Sequence, residues 1–226
     1  MSHGLSLMLS RARSVAVDPF FEIDKEILCD VHLVRTSSDE FFAREHPFAH
    51  LAEPLVDLVF IDGMHMAEYA LRDVINTERY THPATVIVID DMLPRNIGEA
   101  DRVQPPRGGA WTGDVYKITE AFRDLRPDWV CLEVNTEPTG TVVLLGPDAR
   151  SAVLLEAYDD LVTSYVTPDP QAVPEAVLTR SRAIEPEDLL AAPIWDRLRE
   201  LRSVPANVAR IEVAALLRGA GLRTPA

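Results

Sequence analysis

Cysteine is scarce in this sequence, and long uncharged apolar runs are absent from it. Two cysteines, Cys29 and Cys131, occur among 226 residues, which excludes a disulfide-rich scaffold and favours reduced thiols in a cytoplasm. No run of about 18 uncharged apolar residues occurs, so the sequence gives no sign of a membrane span. Arg11 and Arg13 follow the first apolar segment instead of preceding it, which is the wrong order for a secretory signal. We therefore expect a cytoplasmic protein that does not bind a membrane.

Positive charge is also scarce. Lysine and arginine together number 22 against 36 aspartate and glutamate residues, which gives a formal net charge of −14. Affinity for nucleic acid comes largely from lysine and arginine contacts to phosphates, so the sequence argues against a nucleic-acid partner. A small neutral or cationic substrate fits this charge better. The hydrophobic fraction of 47% is enough for the packed core of a globular chain.

Short apolar segments alternate with amphipathic ones over most of the chain. The pattern predicts strands at residues 14–17, 31–36, 56–61 and 85–89, and helices at residues 39–50, 66–79 and 115–125. Two further strand-like segments, residues 128–134 and 140–145, are joined by a short link that predicts an antiparallel hairpin at the sheet edge. Alternating strands and helices predict an α/β fold with a doubly wound, mostly parallel sheet.

Proline becomes frequent after a predicted helix at residues 151–166. We interpret residues 1–166 as one domain and residues 167–226 as a linker and helical tail, which packs on the domain or on a second subunit of a homo-oligomer. An earlier irregular segment, residues 92–112, is rich in proline and glycine and is longer than most connections. It predicts either a lid over a bound ligand or a disordered surface loop.

Acidic residues follow the predicted strands directly. Asp18 follows the first strand, Asp62 the third, and Asp90 and Asp91 the fourth. In open α/β sheets, ligands bind outside the carboxyl ends of the strands, and neighbouring strands are about 4.8 Å apart. Three carboxylates in one small volume repel one another unless a cation neutralises them, and Mg²⁺ prefers such oxygen ligands. The sequence thus predicts a metal site at Asp62, Asp90 and Asp91, with strand-end or helix-capping roles as the alternative.

Two more residues have positions that suggest chemistry. His65 comes soon after Asp62, at the start of the next predicted helix. A single histidine is more often structural, but a neighbouring metal site makes His65 a candidate general base, because an imidazole titrates near neutral pH. Asp39 follows the second predicted strand, where nucleotide-binding folds place an acidic residue on ribose hydroxyls. Asp18 is a second candidate for that role.

Three segments together resemble a known family. VDLVFIDGMH, VIVIDDMLPRN and WTGDVYKI are similar to the class I S-adenosylmethionine-dependent methyltransferases that carry an IDG-x-H motif. That group is related to the macrocin-type sugar O-methyltransferases and, more distantly, to catechol O-methyltransferase. The resemblance covers residues 4–146 approximately. It implies a Rossmann-like methyltransferase fold and a divalent-metal-assisted transfer of the methyl group from S-adenosylmethionine to a hydroxyl of a small molecule, such as a sugar or a phenol.

The resemblance also implies roles for individual residues. The cofactor would contact a set of six, which comprises Gly4, Ser6, Asp18, Ser38, Asp39 and Asp62. Within that set, Asp18 would bind the ribose, and Ser38 and Asp39 would lie near the adenine. The family's metal ligands, which hold Mg²⁺ or a similar divalent cation, match Asp62, Asp90 and Asp91. His65 falls where related enzymes carry the catalytic base.

One departure from the family lies at the start of the chain. The family opens with a strand and a glycine-rich E-x-G-x-x-x-G turn, whereas Gly4 and Ser6 resemble the end of that turn and residues 5–12 resemble the helix after it. The missing strand would be central, between the strands that carry Asp18 and Asp62, and its loss would leave costly unpaired backbone groups. A start codon assigned too late is the explanation that we favour; a fragment and a degenerate relative are the alternatives.

Two other functions stay open at this point. A truncated or degenerate methyltransferase fold could serve as a non-catalytic binding or assembly module, which the missing glycine-rich turn supports. A phosphoacceptor domain also gathers acidic residues around Mg²⁺ at strand ends. Its acidic pair normally precedes the single aspartate, however, and no matching lysine ends a later strand in this sequence.

Overall fold

The computed structural model describes residues 2–3, 5–51, 53–105 and 110–222. The chain forms two compact units, Met1–Leu55 and Val56–Ala226. Both units contain strands and helices, which confirms the predicted α/β class. Within the described ranges, no helix has both the length and the apolar character that a membrane span requires.

The first unit is built on two short pairs of parallel strands. Its elements in chain order are β1 (Ser2–His3), α1 (Leu5–Met8), β2 (Ser14–Val17), β3 (Glu22–Ile23), β4 (Val31–Val34) and α2 (Ser38–Phe42). β1 pairs with β3, and β2 pairs with β4 over the whole length of both strands. β2 has the predicted bounds, and β4 ends two residues earlier than the predicted strand over 31–36.

Helix α2 is shorter than the predicted helix over residues 39–50. Ser37 caps its start, because the Ser37 hydroxyl accepts a hydrogen bond from the backbone N–H of Glu40 at 3.2 Å. The helix ends at Phe42. Pro47 explains why the prediction was too long, since a proline removes a helical hydrogen bond and the residue before it avoids helical backbone angles.

The second unit contains a four-stranded mixed sheet. Its strands are β5 (Val56–Ile61), β6 (Thr81–Ile89), β7 (Val130–Val134) and β8 (Thr141–Leu145), in the order β5-β6-β8-β7. β5 and β6 are parallel and are connected through α3 (Ala67–Glu78). β8 is antiparallel to both of its neighbours, which confirms the predicted hairpin with β7.

Helices cover both faces of this sheet. α3 and α4 (Ile118–Leu125) pack on one face, in a core that includes Leu71, Phe122 and Leu144. The helices that follow the sheet are α5 (Val153–Glu156), α6 (Tyr158–Tyr165), α7 (Glu175–Leu178), α8 (Pro186–Leu190), α9 (Trp195–Leu201) and α10 (Ala206–Gly219). α9 and α10 cover the other face, where Leu201 and Val213 are buried. The predicted helix over residues 151–166 is thus two helices. The predicted tail packs on the sheet. A domain boundary after residue 166 stays a prediction.

The strands that lead to Asp18 and Asp62 each have an open edge. Within the described residues, β2 pairs with β4 alone and β5 with β6 alone. Leu58 and Phe60, on one face of β5, are also 67% and 46% exposed, although strands of parallel sheets are usually covered on both faces. The further strand that the family places between those carrying Asp18 and Asp62 stays a prediction.

Candidate functional site

Two adjacent parallel strands bring acidic residues to one edge of the sheet. β5 ends at Ile61 and β6 ends at Ile89, and these two residues are partners in the strand register. The backbone N–H of Asp90 donates to the carbonyl oxygen of Ile61 at 2.9 Å, so the parallel arrangement continues one residue beyond the strands. Asp62 and Asp90 therefore leave the sheet side by side.

A compact group of three ligand-bearing side chains lies at this edge. Within the described residues, Asp62, His65 and Asp91 each place one ligand atom within 4.8 Å of the other two. Nε2 of His65 is 3.3 Å from Oδ1 of Asp62 and 3.0 Å from Oδ2 of Asp91. Asp90, the third predicted ligand, is not part of this group; its Oδ1 accepts the backbone N–H of Asp91 at 3.0 Å. The structure thus places the imidazole where the sequence predicted a third carboxylate.

The other ring nitrogen of His65 is held by the backbone. Nδ1 lies 2.6 Å from the carbonyl oxygen of Trp111, and the two rings stack with centroids 5.0 Å apart. Because a carbonyl oxygen only accepts, Nδ1 donates to it, and Nε2 faces the two carboxylates. In the neutral ring, the lone pair of Nε2 therefore points at the carboxylate oxygens.

Charge and burial perturb the acid–base properties of the group. Burial lowers the pKa of His65, but the hydrogen bonds to Asp62 and Asp91 outweigh it and raise that pKa to about 10. Burial, reinforced by the negative charges of Asp91 and Asp62, raises the pKa of Asp90 to about 6. In the absence of a cation, Nε2 of His65 carries a proton that partly neutralises the carboxylates.

Two members of the group have unusual backbone conformations. The φ angles of His65 and Asp91 are 55° and 61°, in the left-handed region that favours glycine. Such conformations cost of order 1–3 kcal/mol each and persist where surrounding contacts stabilise them, often at functional sites. The backbone conformations of His65 and Asp91 are therefore maintained at some cost in the free energy of folding.

The predicted lid is anchored over its described parts, residues 92–105 and 110–112. Arg102 forms ion pairs with Glu68 at 2.5 Å and with the buried Asp114 at 2.8 Å. The carboxylate of Asp169 accepts the backbone N–H of Arg102 at 2.9 Å. The indole N–H of Trp111 donates to a carbonyl oxygen of the same loop, that of Asp101, at 2.7 Å. The alternative of a disordered surface loop does not describe these segments.

The predicted cofactor residues of the first unit lie at the carboxyl ends of β2 and β4. Asp18 follows β2 directly, and its backbone N–H donates to the carbonyl oxygen of Val34 at 3.1 Å, which places it beside the end of β4. Ser38 and Asp39 form the first turn of α2. Of the two other cofactor residues predicted in this unit, Ser6 is exposed on α1 and Gly4 lies outside the described residues. Asp18, Ser38 and Asp39 thus occupy one edge of this unit.

Comparison with known proteins gives one family. A family model described as a methyltransferase domain matches residues 6–92. The matched segment begins in α1 and ends just after β6, and it contains every predicted site residue except Gly4. No curated protein and no solved structure matches the chain. The match supports a methyltransferase domain, and with it methyl transfer as the type of reaction.

The second unit thus has a mixed set of possible ligands at the carboxyl ends of β5 and β6. Two carboxylates and one imidazole converge there, and the side chain of Asp62 is 41% exposed, so the group is open to solvent on one side. The sequence placed His65 beside the predicted metal site as a candidate base, and did not indicate it as a possible third ligand together with Asp62 and Asp91. The segment WTGDVYKI contributed to the family resemblance, but no pattern in it indicates that the carbonyl oxygen of Trp111 contacts the ring of His65.

Proposed function

We propose that this chain is an S-adenosylmethionine-dependent O-methyltransferase that acts on a hydroxyl of a small molecule with the help of a divalent cation held by Asp62, His65 and Asp91. One observation carries the proposal, namely the three-ligand group at the carboxyl ends of β5 and β6, inside the segment that the methyltransferase family model matches. Ligands of open α/β sheets bind at that edge of the strands.

The chemistry of the donor atoms fits a cation. Two carboxylates and an imidazole suit Mn²⁺, Fe²⁺ or Zn²⁺ at least as well as the predicted Mg²⁺, because imidazole nitrogen is a poor ligand for Mg²⁺ and Ca²⁺. Three protein ligands would leave coordination positions free for oxygens of a substrate. A divalent cation in such a position lowers the pKa of a hydroxyl bound to it. It also removes the repulsion between the carboxylates of Asp62 and Asp91.

His65 has one lone pair on Nε2, so it serves either as a ligand or as the predicted base. The hydrogen bond from Nδ1 to the carbonyl oxygen of Trp111 supports the ligand role. Metal-binding histidines usually donate their second ring N–H to a carbonyl or carboxylate, which fixes the ring orientation and the tautomer. We therefore assign His65 to the cation. The acceptor hydroxyl would lose its proton to solvent, which reaches the exposed side of the group at Asp62, and the chain's own contribution would be to position the oxygen that takes the methyl group.

The first unit would bind the adenosine end of the cofactor. Asp18 would accept hydrogen bonds from ribose hydroxyls, as acidic residues after strands do in other nucleotide-binding folds. Ser38 and Asp39, in the first turn of α2, would lie near the adenine. The position of Asp18 beside the end of β4 supports this assignment, because it places the three residues on one edge.

Calorimetry and a transfer assay test the proposal. We expect S-adenosylmethionine to bind with a dissociation constant between about 1 µM and 1 mM, the usual range for enzyme substrates. We also expect transfer of a radiolabelled methyl group to at least one member of a panel of sugars and catechols. A chelator should abolish that transfer and Mn²⁺ should restore it.

Matched variants make the assay specific. Asp62→Asn should lose transfer, whereas Asp159→Asn, which changes an exposed aspartate on α6, should not. Cofactor binding without transfer to any hydroxyl would favour the non-catalytic alternative. A chain that binds no S-adenosylmethionine would overturn the proposal.

A further inference from the structure

The segment Trp111 to Asp114, here called the clamp, contacts the three consecutive residues from His65 to Ala67. Nδ1 of His65 lies 2.6 Å from the carbonyl oxygen of Trp111, and the backbone N–H of Ala67 donates to Oδ1 of Asp114 at 2.9 Å. Between these two contacts, Gly113 lies against the carbonyl group of His65. We infer that the clamp positions His65 for cation binding, and that Gly113 and Asp114 are positioning residues of the site. The inference rests on the proposed function, since it assumes that a cation binds at this group.

Gly113 makes the close approach to His65 feasible. A Cβ atom at position 113 would lie 1.6 Å from the carbonyl oxygen of His65 and 2.8 Å from its carbonyl carbon, distances at which no side chain fits. Gly113 also has a φ of 57°, which side chains disfavour. His65 itself has a φ of 55°, and its carbonyl oxygen faces Gly113. Two left-handed residues are therefore in direct contact.

Asp114 fixes the start of the helix that follows His65. Its side chain is fully buried, and its Oδ2 lies 2.8 Å from a guanidinium nitrogen of Arg102 and 3.1 Å from Nζ of Lys117. Its Oδ1 accepts the N–H of Ala67, the first residue of α3, whose own N-cap residue, Met66, forms no side-chain cap. Asp114 thus supplies the helix cap from a distant part of the chain. Because α3 begins two residues after His65, this cap also restrains the backbone that carries the imidazole.

Arg102 connects the clamp to the same helix from the side of the loop. Its guanidinium group pairs with Glu68 in the first turn of α3 as well as with Asp114. The side chains of Arg102 and Glu68 are 16% and 15% exposed, so this pairing is largely shielded from solvent. Asp62 and Asp91 are held separately, because they follow directly on β5 and β6. Loss of the clamp should therefore displace the imidazole and leave the two carboxylates in place.

The test is the affinity for Mn²⁺, measured by electron paramagnetic resonance of free Mn²⁺, in two pairs of variants. In the first pair, Gly113→Ala is compared with Gly146→Ala. Gly146 also has a positive φ, of 82°, but a Cβ there would lie no closer than 3.5 Å to its neighbours. Both changes add the same methyl group in the left-handed region, and only the first one adds it against His65. We expect Gly113→Ala to weaken Mn²⁺ binding at least about tenfold and Gly146→Ala to leave it unchanged, since loss of a group that orients a ligand typically costs about 10- to 100-fold in affinity.

The second pair tests the clamp if Gly113→Ala does not fold. Asp114→Ala is compared with Glu78→Ala, because Glu78 is also a buried carboxylate that pairs with an arginine, Arg126, and accepts a backbone N–H, that of Asp148. Each variant loses a buried carboxylate that pairs with an arginine, so both should lose stability. Only a role of Asp114 in positioning His65 would make their Mn²⁺ affinities differ. We expect weaker Mn²⁺ binding for Asp114→Ala alone.

A third measurement does not require a metal. Proton and nitrogen-15 spectra of the metal-free protein report the hydrogen bond from Nδ1–H of His65 to Trp111, which the neutral and the protonated ring can both donate. We expect a slowly exchanging Nδ1–H signal in the wild type and its loss in the clamp variants. If the wild type binds no Mn²⁺, the proposed cation site fails, and the Nδ1–H signal of His65 alone then decides whether the clamp holds the ring. If the wild type binds Mn²⁺ and both clamp variants bind it equally well, the inference is overturned.

Discussion

Nε2 of His65 lies 3.0 Å from Oδ2 of Asp91, and both residues have a left-handed backbone. The two residues follow different strands, so their approach depends on the parallel pairing of β5 with β6. Strained conformations at two facing residues indicate that contacts elsewhere stabilise this arrangement. The proposed cation site would give this arrangement a function.

Asp91→Asn should weaken Mn²⁺ binding, because a neutral amide oxygen would replace one of the two charged ligands. We expect a loss of at least about tenfold in affinity, since loss of a group that only orients a ligand already costs about 10- to 100-fold. Titration calorimetry with Mn²⁺ measures the effect. Asp159→Asn, which removes an equal charge from the exposed surface of α6, is the control and should bind like the wild type. Equal weakening by both variants would mean that net charge, and not ligation, controls binding.

His65→Gln separates the two roles of the histidine. A ligand role predicts that Mn²⁺ affinity falls at least about tenfold. A base role predicts that Mn²⁺ affinity is preserved while methyl transfer slows by about 10²- to 10⁴-fold, the usual contribution of a general base. We expect the first result. Measuring Mn²⁺ affinity and the transfer rate on the same preparation decides between the two roles.

The pH dependence of stability should contain a contribution from His82. Burial lowers the pKa of this imidazole from its ordinary value, against a smaller opposite effect of its hydrogen bond to Val204. Nδ1 accepts the N–H of Ala84 at 3.1 Å, and Nε2 donates to the carbonyl oxygen of Val204 at 2.9 Å, so the neutral ring is fully paired. The unfolded chain therefore binds the proton more readily than the folded chain. The stability that the neutral ring of His82 contributes is therefore present above the ordinary pKa of about 6.5 and is lost as the pH falls below that value.

Urea unfolding at several pH values between neutral and mildly acidic measures this contribution. His82→Gln should lose less stability than the wild type over the same fall in pH, because it has no imidazole to protonate. Parallel pH profiles of the two proteins would contradict the assignment.

The predicted tail should contribute to the stability of the sheet. Leu201 on α9 is fully buried in the core that contains Leu132 and Leu145, so Leu201→Ala should lower the free energy of unfolding by about 2–5 kcal/mol. Ile211 on α10 is 71% exposed, and Ile211→Ala should change that free energy by no more than about 0.5 kcal/mol. Urea unfolding of both variants provides the comparison. Equal stability of the two variants would mean that the tail does not share the core of the sheet.

Local sequence patterns predicted the strands and the antiparallel hairpin well. The bounds of β5 match the prediction, because an apolar run ended by Asp62 and Gly63 gives a clear signal. β6 starts at Thr81, before the predicted start at residue 85. The prediction was too short because Pro83 normally argues against a strand interior, whereas here it lies near an irregularity in the pairing with β5.

The details of the candidate site were harder to predict, and the reason is physical. Adjacent strands place Asp62 and Asp90 together by topology alone, which a pattern of strands and helices can indicate. The inclusion of His65 in the ligand group depends on a left-handed backbone at a non-glycine residue and on contacts from Trp111 and Gly113, which are distant in the sequence. Propensities report neither feature. The IDG-x-H motif indicated His65, and the segment WTGD is the part of the sequence that holds its ring.

The account depends most directly on cation binding at the edge of β5 and β6. A crystal structure determined with Mn²⁺, with data collected for anomalous scattering, tests this claim. We predict one strong anomalous peak within about 2.0–2.6 Å of a carboxylate oxygen of Asp62, a carboxylate oxygen of Asp91 and Nε2 of His65, the range of metal–ligand distances in proteins. At saturating Mn²⁺, a map without a peak at these three residues would contradict the account.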